Sequence, residues 1–341
     1  MLEDLTTQID PTEWYSSTDP ELHNASVLDW IETVCFANAL GGRDTAINLR
    51  NLLTYWTDSG LPLSSSKIYI PFSEISTSIP SSDTDNEPYE LALERLRDRK
   101  VLLRESYPFH LSDQLASIKF GCESLNRSFY THLLLLCAIE GYGRRSIFTN
   151  ITKSDHNFLR SYFESIVLHS LRQHGYDCEQ IGTGAGSAKF DQRLTATLRT
   201  LGIGSPQRNT EVRQKIKDGG ADIIAGHFWK DGRSREIVHL VQCTVSQPHE
   251  WFKKISEPSQ SRWIGLINQG CPGIPCLATP YEAQSDARST LDLQQPHSYF
   301  DRIRLSIAAK DADISKLPNY NRYIDIIKKG FRKFGDLDSK L

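Results

Sequence analysis

Apolar residues in the first third of the chain recur at helical spacing between polar stretches. Residues 1–24 are polar and rich in turn-forming pairs such as Asp-Pro, which predicts a loosely attached acidic arm. Apolar stripes within residues 26–57, broken at Gly41-Gly42, predict two helices. A further stripe predicts a third helix over residues 87–99. This part of the chain is therefore expected to be mainly helical.

Two β-like runs follow the third helix, at residues 101–104 and 109–111, and Lys67–Pro71 is a short strand candidate. Three helices followed by a hairpin is the order of a winged-helix domain, so residues 25–120 are expected to form one. The third helix would read DNA, but its four acids beside three arginines disfavour insertion into a groove. Nucleic-acid contact and a dimerisation or scaffolding role both stay open. Residues 121–150 are predicted to hold an apolar connecting helix.

The second half of the chain alternates helical and strand-like patterns, which predicts an α/β domain over residues 151–341. An amphipathic helix over residues 157–171 opens it, with Ser154 or Asp155 as the expected N-cap. The further predicted strands are Tyr176–Ile181, Ala221–Trp229, Glu236–Val245, Ile274–Thr279 and Phe300–Ala308. The further predicted helices are Phe190–Leu201, residues 248–268 with a break at Glu257-Pro258, and Tyr320–Phe334, while residues 283–293 fit a short polar helix or a loop.

One polar residue interrupts each strand of the central hairpin. Asp222 lies at the start of the first strand and Gln242 near the end of the second, so the hairpin brings both to one end of the sheet. A two-residue turn would pair residue 222 with 241 and put the two side chains on opposite faces. A three-residue loop or a bulge pairs 222 with 242 and puts them on one face, and we predict this register. A carboxylate and an amide oxygen that converge suit a hard cation such as Mg²⁺ or Mn²⁺.

This hairpin, together with the helix before it, resembles the catalytic core of the PD-(D/E)XK nucleases, particularly the Mrr-like restriction endonucleases. The matching residues are Gly220-Ala-Asp222 at the start of one strand and Gln242-Cys-Thr244 at the end of the next, where the family has Gln-x-Lys. Glu164 on the opening helix matches the acid that the family carries there. The resemblance covers roughly residues 150–310. It implies a restriction-endonuclease-like, three-layer α/β/α core with a mixed central sheet.

The resemblance also implies a function: metal-dependent hydrolysis of phosphodiester bonds of DNA, in prokaryotic restriction or anti-phage defence. Asp222 would be the main ligand of Mg²⁺ or Mn²⁺. Gln242 would supply its carbonyl oxygen or a more distant contact, and Glu164 would bind the metal through water. A homodimer, or a place in a larger defence complex, is the expected assembly.

The lysine of the family motif is replaced here by Thr244, which removes the positive charge that activates the attacking water. A lysine from the next helix, Lys253 or Lys254, could replace it. Thr244 could otherwise orient the water, at a rate cost of about 10²–10³. The alternative function is a catalytically inactive nuclease-fold protein that serves as a nucleic-acid-binding or protein-partner subunit. A transcription factor led by the winged helix is a third option, which the acidic third helix disfavours.

Charge is unevenly distributed, although the net charge of the chain is only −3. Residues 1–42 hold eight acids and no Lys or Arg, so the rest carries 39 bases and 34 acids, a net of +5. The segment 192–217 concentrates basic residues directly before Asp222, which suits phosphate contact or, alternatively, a solvated helix face. The candidate nucleic-acid-binding residues are Arg193, Arg199, Arg208, Arg213, Lys215 and Lys217. The pattern favours DNA and fits RNA as well.

A glycine-rich segment, residues 182–187, follows the first predicted strand of the second domain. It lacks the Gly-Lys-Ser/Thr of a P-loop, and its third glycine is misplaced for a dinucleotide-binding loop. We therefore expect a flexible loop beside the active-site cleft.

Overall composition is ordinary for a soluble globular protein, with 39% hydrophobic residues, and the cysteines predict a reducing, cytoplasmic location. No apolar run approaches the roughly 18–20 residues that cross a bilayer, so no membrane association is expected. The polar, acidic N-terminus is unlike a secretory signal. The seven cysteines include no Cys-x-x-Cys and lie mostly in apolar stretches, which predicts buried free thiols rather than a zinc site.

Overall fold

The computed structural model of the chain forms two compact units. The first unit comprises Met1–Ile151, Tyr281–Thr290 and Ile324–Leu341, and the second comprises Thr152–Pro280 and Leu291–Tyr323. Two segments that the sequence analysis includes in the C-terminal domain therefore belong to the first unit. The structure describes residues 22–42, 45–59, 87–122, 124–142, 148, 150–182, 189–204, 219–231, 236–246, 250–267, 273–283, 298–335 and 337.

Some predictions fall outside the described residues. They are most of the arm at residues 1–24, the strand at Lys67–Pro71, the glycine-rich segment after Gly182, and nearly all of residues 283–293.

The first unit combines helices with a small three-stranded sheet. Its elements are α1 (Leu22–Leu40), β1 (Ile47–Asn48), α2 (Leu49–Asp58), α3 (Glu87–Leu103), β2 (Phe109–Leu111), β3 (Ser117–Phe120) and α4 (Phe129–Cys137), which continues as a π-helical turn, Ala138–Tyr142. The strands lie in the order β1-β3-β2, and both pairs are antiparallel. Three helices followed by a hairpin is the predicted order. The winged-helix assignment itself stays a prediction.

The β-like run predicted at residues 101–104 is wrong, because Val101–Leu103 forms the last turn of α3. Leu96, Arg99 and Leu103 are buried at helical spacing, which continues the stripe of the helix. The hairpin of this unit is made by β2 and β3 instead.

A buried ion cluster packs α3 against α1. The Arg99 guanidinium lies 2.9 Å from Asp29, 2.9 Å from Glu32 and 2.6 Å from Glu282. Arg99 is 1% exposed and Arg95 is 8% exposed. Two of the three arginines of the third helix therefore point into this unit and cannot contact a DNA groove.

The second unit is an α/β structure on a five-stranded mixed sheet. Its elements are α5 (Lys153–Gln173), β4 (Asp177–Gln180), α6 (Phe190–Leu201), β5 (Ile223–Gly226), β6 (His239–Cys243), α7 (Trp251–Ile255), α8 (Gln260–Ile264), β7 (Ile274–Ala278), β8 (Ser298–Phe300) and α9 (Arg302–Ala308). The strand order is β4-β5-β6-β7-β8. The first two pairs are antiparallel and the last two are parallel. The last helix, α10 (Tyr320–Phe331), begins in this unit.

Helices cover both faces of this sheet. Ile224 and Leu240, on neighbouring strands, belong to a buried cluster with residues of α6 and α8. On the other face, the Cys178 thiol of β4 donates to the Leu168 carbonyl of α5 at 3.5 Å. Cys178 pairs with Ala225, which alternates with Ile224 along β5, so the two helical layers lie on opposite sides.

The opening helix α5 has a different N-cap from the one predicted. Thr152 Oγ1 accepts from the Asp155 N–H at 3.2 Å, and Asp155 Oδ2 accepts from the Thr152 N–H at 2.9 Å. This reciprocal capping box makes Thr152 the cap and gives Asp155 the supporting role.

The strand predicted at Phe300–Ala308 is also wrong beyond its first residue. β8 ends at Phe300, and Arg302–Ala308 is the helix α9. Asp301 caps this helix, because its Oδ1 accepts from the Arg304 N–H at 3.0 Å. The helix Phe190–Leu201, the helical break at Glu257-Pro258 and the strand from Ile274 are confirmed.

Candidate active site

The pairing of β5 with β6 sets the geometry at the strand end that holds Asp222. Ile223 pairs with Val241 and Ile224 with Leu240. The paired residues end at Ile223, and the Asp222 N–H also donates to the Val241 carbonyl at 2.8 Å, so the predicted pairing of Asp222 with Gln242 stays a prediction. The connection is longer than a three-residue loop, because β5 ends at residue 226 and β6 begins at residue 239.

Asp222 is fixed by hydrogen bonds to both neighbouring strand ends. Its N–H donates to the Val241 carbonyl at 2.8 Å, and its own carbonyl accepts from the N–H groups of Ile181 at 2.8 Å and Gly182 at 3.0 Å. Its side-chain Oδ2 accepts from the Cys243 N–H at 2.8 Å. A Cβ on Gly182 would lie 2.6 Å from Oδ1, so the carboxylate requires glycine there. The carboxylate thus lies between the ends of β4 and β6.

The turn before Asp222 depends on two glycines with positive φ. Gly219 has φ of 69° and Gly220 of 76°, which side chains rarely adopt. A Cβ on Gly220 would lie 2.5 Å from the carbonyl of Glu257, between α7 and α8. Trp263 Nε1 of α8 donates to the Gly219 carbonyl at 3.0 Å. These contacts hold the entrance of β5 against the two short helices.

Glu164 of α5 is the second carboxylate at this strand end. Its Oε2 accepts a 2.6 Å hydrogen bond from Gln180 Nε2 at the end of β4. Burial raises the pKa of the Cys243 thiol well above its ordinary value, and the charges of Asp222 and Glu164 raise it further. The charges of both carboxylates thus act on Cys243, and each carboxylate accepts a hydrogen bond from an N–H donor of the sheet.

Gln242 and Thr244, the other two motif residues, are less directly engaged. Gln242 Nε2 donates to the Cys243 carbonyl at 3.4 Å, and Thr244 Oγ1 accepts from the Ser246 N–H at 3.0 Å. Because side chains alternate along a strand, Gln242 and Cys243 point to opposite faces of β6. Within the described part of the chain, neither Gln242 nor Thr244 hydrogen-bonds to the two carboxylates.

The two candidate lysines lie on α7. Lys254 Nζ contacts Glu257 Oε1 at 3.0 Å, and Lys253 is exposed. Since the Glu257 backbone packs on Gly220, the Lys254–Glu257 pair lies beside the turn that leads into Asp222.

Two of the six candidate nucleic-acid-binding residues can be placed, both on α6. Arg193 Nε donates to the Ile181 carbonyl at 3.1 Å, and its guanidinium carbon lies 6.0 Å from the centre of the Phe190 ring. Arg199 is exposed further along the helix. The other four, Arg208, Arg213, Lys215 and Lys217, lie outside the described residues.

Carboxylate oxygens are ligands for hard divalent cations. Among the described residues, no group of three or more His, Cys, Asp or Glu side chains could hold a metal. Two carboxylates alone do not fit a structural zinc site, which takes four protein ligands. Mg²⁺ typically binds through one or two carboxylates and completes its shell with water and substrate oxygens, so a pair of carboxylates is a donor set of the kind that Mg²⁺ or Mn²⁺ takes.

Three residues of this site were missed as site residues in the sequence. Gln180 and Gly182 flank the end of β4, and Cys243 resembles an apolar filler between Gln242 and Thr244. The sequence signal for Gln180 and Gly182 was a polar residue followed closely by a glycine at the end of a predicted strand. Nothing in the sequence indicates that the backbone of Cys243 binds Asp222.

Comparisons with known protein families, with curated proteins and with solved structures found no match. In the described part of the chain, no helix has the length and apolar character to span a membrane. A functional assignment therefore depends on the geometry at the strand end.

Proposed function

We propose that the chain is a metal-dependent endonuclease that hydrolyses phosphodiester bonds of DNA. The observation that carries the proposal is a pair of carboxylates at one end of the sheet: Asp222 accepts from the Cys243 N–H at the end of β6, and Glu164 accepts from Gln180 at the end of β4. A hydrogen bond from the sheet holds each of them before any ligand arrives. Ligands oriented in advance in this way are what a metal-dependent hydrolase needs.

The order of elements supports the same proposal. An acid-bearing helix, three strands in two antiparallel pairs, a short helical segment and a parallel strand occur in the order α5, β4, β5, β6, α7–α8 and β7, with α6 inserted between β4 and β5. This is the order that the resemblance to the PD-(D/E)XK nucleases implies. Asp222 and Gln242 occupy the motif positions of that family.

The chain's own residues would divide the work as follows. A bound Mg²⁺ or Mn²⁺ would polarise the phosphoryl oxygen and lower the pKa of the attacking water. Asp222 and Glu164 would hold the ion, and Gln242 would contribute at the rim. Burial, together with the charges of Asp222 and Glu164, raises the pKa of the Cys243 thiol, so in the metal-free chain the thiol stays protonated near neutral pH.

The position of Thr244 supports the second candidate, an inactive nuclease-fold protein that binds nucleic acid or a protein partner. Thr244 carries no charge, and its oxygen already accepts a hydrogen bond from the Ser246 N–H. Its hydroxyl hydrogen can still orient a water, but it cannot stabilise a developing phosphate charge as a lysine does. If another residue of the chain supplies the missing positive charge, the endonuclease is favoured, and if none does, the inactive protein is favoured.

For the first unit we propose a winged-helix-like domain that dimerises or scaffolds the protein. The burial of Arg95 and Arg99 supports this role over DNA reading. A cytoplasmic homodimer, or a subunit of a larger complex in restriction or anti-phage defence, is the assembly that the resemblance implies.

Plasmid cleavage by the full chain with Mg²⁺ or Mn²⁺ tests the function. We expect the wild type and Asp311→Asn to cleave, because Asp311 is 86% exposed on a turn, whereas Asp222→Asn should lose activity. Absence of cleavage with either metal, together with tight and salt-dependent DNA binding, would favour the inactive subunit instead. Equal cleavage by Asp222→Asn and the wild type would contradict the proposed site.

A further inference from the structure

The candidate site lacks a lysine at its motif position, yet one arginine is joined to the same strand end. Arg193 Nε donates to the Ile181 carbonyl at 3.1 Å. The Ile181 N–H in turn donates to the Asp222 carbonyl at 2.8 Å. Ile181, which follows β4, therefore connects the Arg193 guanidinium to the backbone of Asp222.

Two contacts of Arg193 help to orient its side chain. Its Nε hydrogen bond to Ile181 fixes one edge of the guanidinium, and the Phe190 ring lies 6.0 Å from its central carbon. Guanidinium carries five N–H donors in a planar fork, which matches two oxygens of a phosphate group. Arginine also stays protonated at any physiological pH, so its charge is constant.

Gly182, the residue after Ile181, contacts Asp222. Its N–H donates to the Asp222 carbonyl, and a Cβ there would lie 2.6 Å from Asp222 Oδ1. Arg193 thus contacts Ile181, and the Asp222 carboxylate contacts the next residue, Gly182. Of the two candidate lysines, Lys254 contacts Glu257 and the side chain of Lys253 is exposed.

We propose that Arg193 binds the scissile phosphate beside Asp222 and supplies the positive charge that the motif lysine would otherwise give. This inference rests on the proposed endonuclease function. In the hydrolysis, the water oxygen bonds to phosphorus as the bond from phosphorus to the leaving sugar oxygen breaks. The water releases a proton to solvent and the leaving oxygen takes one from solvent, while Arg193 transfers none and stabilises the phosphate charge.

The chain offers a matched control for a purely structural role. Arg172 also bonds to a carbonyl of β4, because its Nε and Nη2 donate to the Cys178 carbonyl at 3.3 and 3.0 Å. Cys178 lies three residues before Ile181, away from Asp222. Arg172→Gln and Arg193→Gln therefore each remove an arginine bond to the same strand, but only one changes the proposed site.

The test measures kcat and KM for DNA cleavage with Mg²⁺, and the midpoint of thermal unfolding, in the full chain. We expect Arg193→Gln to lower kcat about 10²–10³-fold with a smaller change in KM, which is the size of effect seen when one electrostatic donor is lost. Arg193→Lys keeps the charge and should recover part of that rate. Arg172→Gln should cleave like the wild type, and its unfolding midpoint should match that of Arg193→Gln.

Three outcomes would overturn the inference. Equal loss in Arg172→Gln and Arg193→Gln would make the effect structural. Full activity of Arg193→Gln, with activity lost in Lys253→Gln/Lys254→Gln, would place the cation on α7 and leave the endonuclease function standing. A wild type that cleaves no DNA would remove the endonuclease function and this role with it.

Discussion

Gln180 Nε2 donates a 2.6 Å hydrogen bond to Glu164 Oε2, which joins the end of β4 to the middle of α5. This contact orients the Glu164 carboxylate. Gln180→Met keeps the length of the side chain and removes the donor. Because partners of metal ligands typically contribute ~10–100-fold in affinity, we expect weaker Mn²⁺ binding by about that factor.

Calorimetric titration with Mn²⁺ measures this affinity. Gln173→Met is the control, because Gln173 is exposed at the end of α5, the helix that carries Glu164. Excess Mn²⁺ should restore cleavage in Gln180→Met. Unchanged Mn²⁺ affinity in Gln180→Met would show that the hydrogen bond does not position a metal ligand.

Gly182→Ala should disable the site by displacing Asp222. The new Cβ would lie 2.6 Å from Asp222 Oδ1 and 3.1 Å from its Cα, so the carboxylate must move. We expect Mn²⁺ affinity to fall at least tenfold, about 1.4 kcal/mol. Gly330→Ala is the control, since its Cβ would meet neighbours only at 3.4 Å, an ordinary contact. Wild-type affinity in Gly182→Ala would contradict the position assigned to the carboxylate.

Cys243 reports the two carboxylates through its reactivity. Their negative charges raise its pKa in addition to burial, so removing either charge should lower the pKa and increase the thiolate fraction at a given pH. We expect faster alkylation of Cys243 at pH 8 in both Asp222→Asn and Glu164→Gln, measured by mass spectrometry of the labelled peptide. Cys122, a partly exposed thiol of the other unit, serves as the internal reference. An unchanged ratio of the two rates would place the carboxylates away from Cys243.

Arg99→Met should destabilise the first unit strongly. Arg99 neutralises Asp29, Glu32 and Glu282 in a site where it is 1% exposed, so its removal leaves buried carboxylates without their cation. Breaking a buried ion pair from one side typically costs ~3–5 kcal/mol of unfolding free energy. Denaturant unfolding measures the change, with the exposed Arg97 replaced by Met as the control. A loss below about 1 kcal/mol, the range of surface ion pairs, would contradict this role.

Local sequence signals predicted much of the second unit. Asp222 and Gln242 are polar residues in apolar strands, and their spacing was enough to predict that β5 and β6 pair antiparallel with these residues near the same end of the sheet. Thr152 could also have been identified, because Thr152 and Asp155 stand at the spacing of a capping box. Asp301 likewise signals the start of α9, although the alternating apolar residues after it favoured a strand.

Contacts between elements were beyond the sequence. Whether Glu164 meets Gln180 depends on the rotation of α5 over β4, which no local pattern determines. The link from Arg193 to Ile181 depends in the same way on how α6 packs at the sheet end. The face to which Gln242 points follows from the strand pairing, whereas its distance from Glu164 depends on side-chain packing. The site was thus predictable as a place in the fold and not as a set of contacts.

Direct titration of Mn²⁺ into the full chain tests the central claim, that Asp222 and Glu164 form one metal site. Electron paramagnetic resonance of free Mn²⁺ gives the affinity without any need for cleavage. We expect a bound ion in the wild type and in Asp311→Asn, and at least tenfold weaker binding in both Asp222→Asn and Glu164→Gln, with little further loss in the double variant. Equal Mn²⁺ affinity in the wild type and Asp222→Asn would contradict the account.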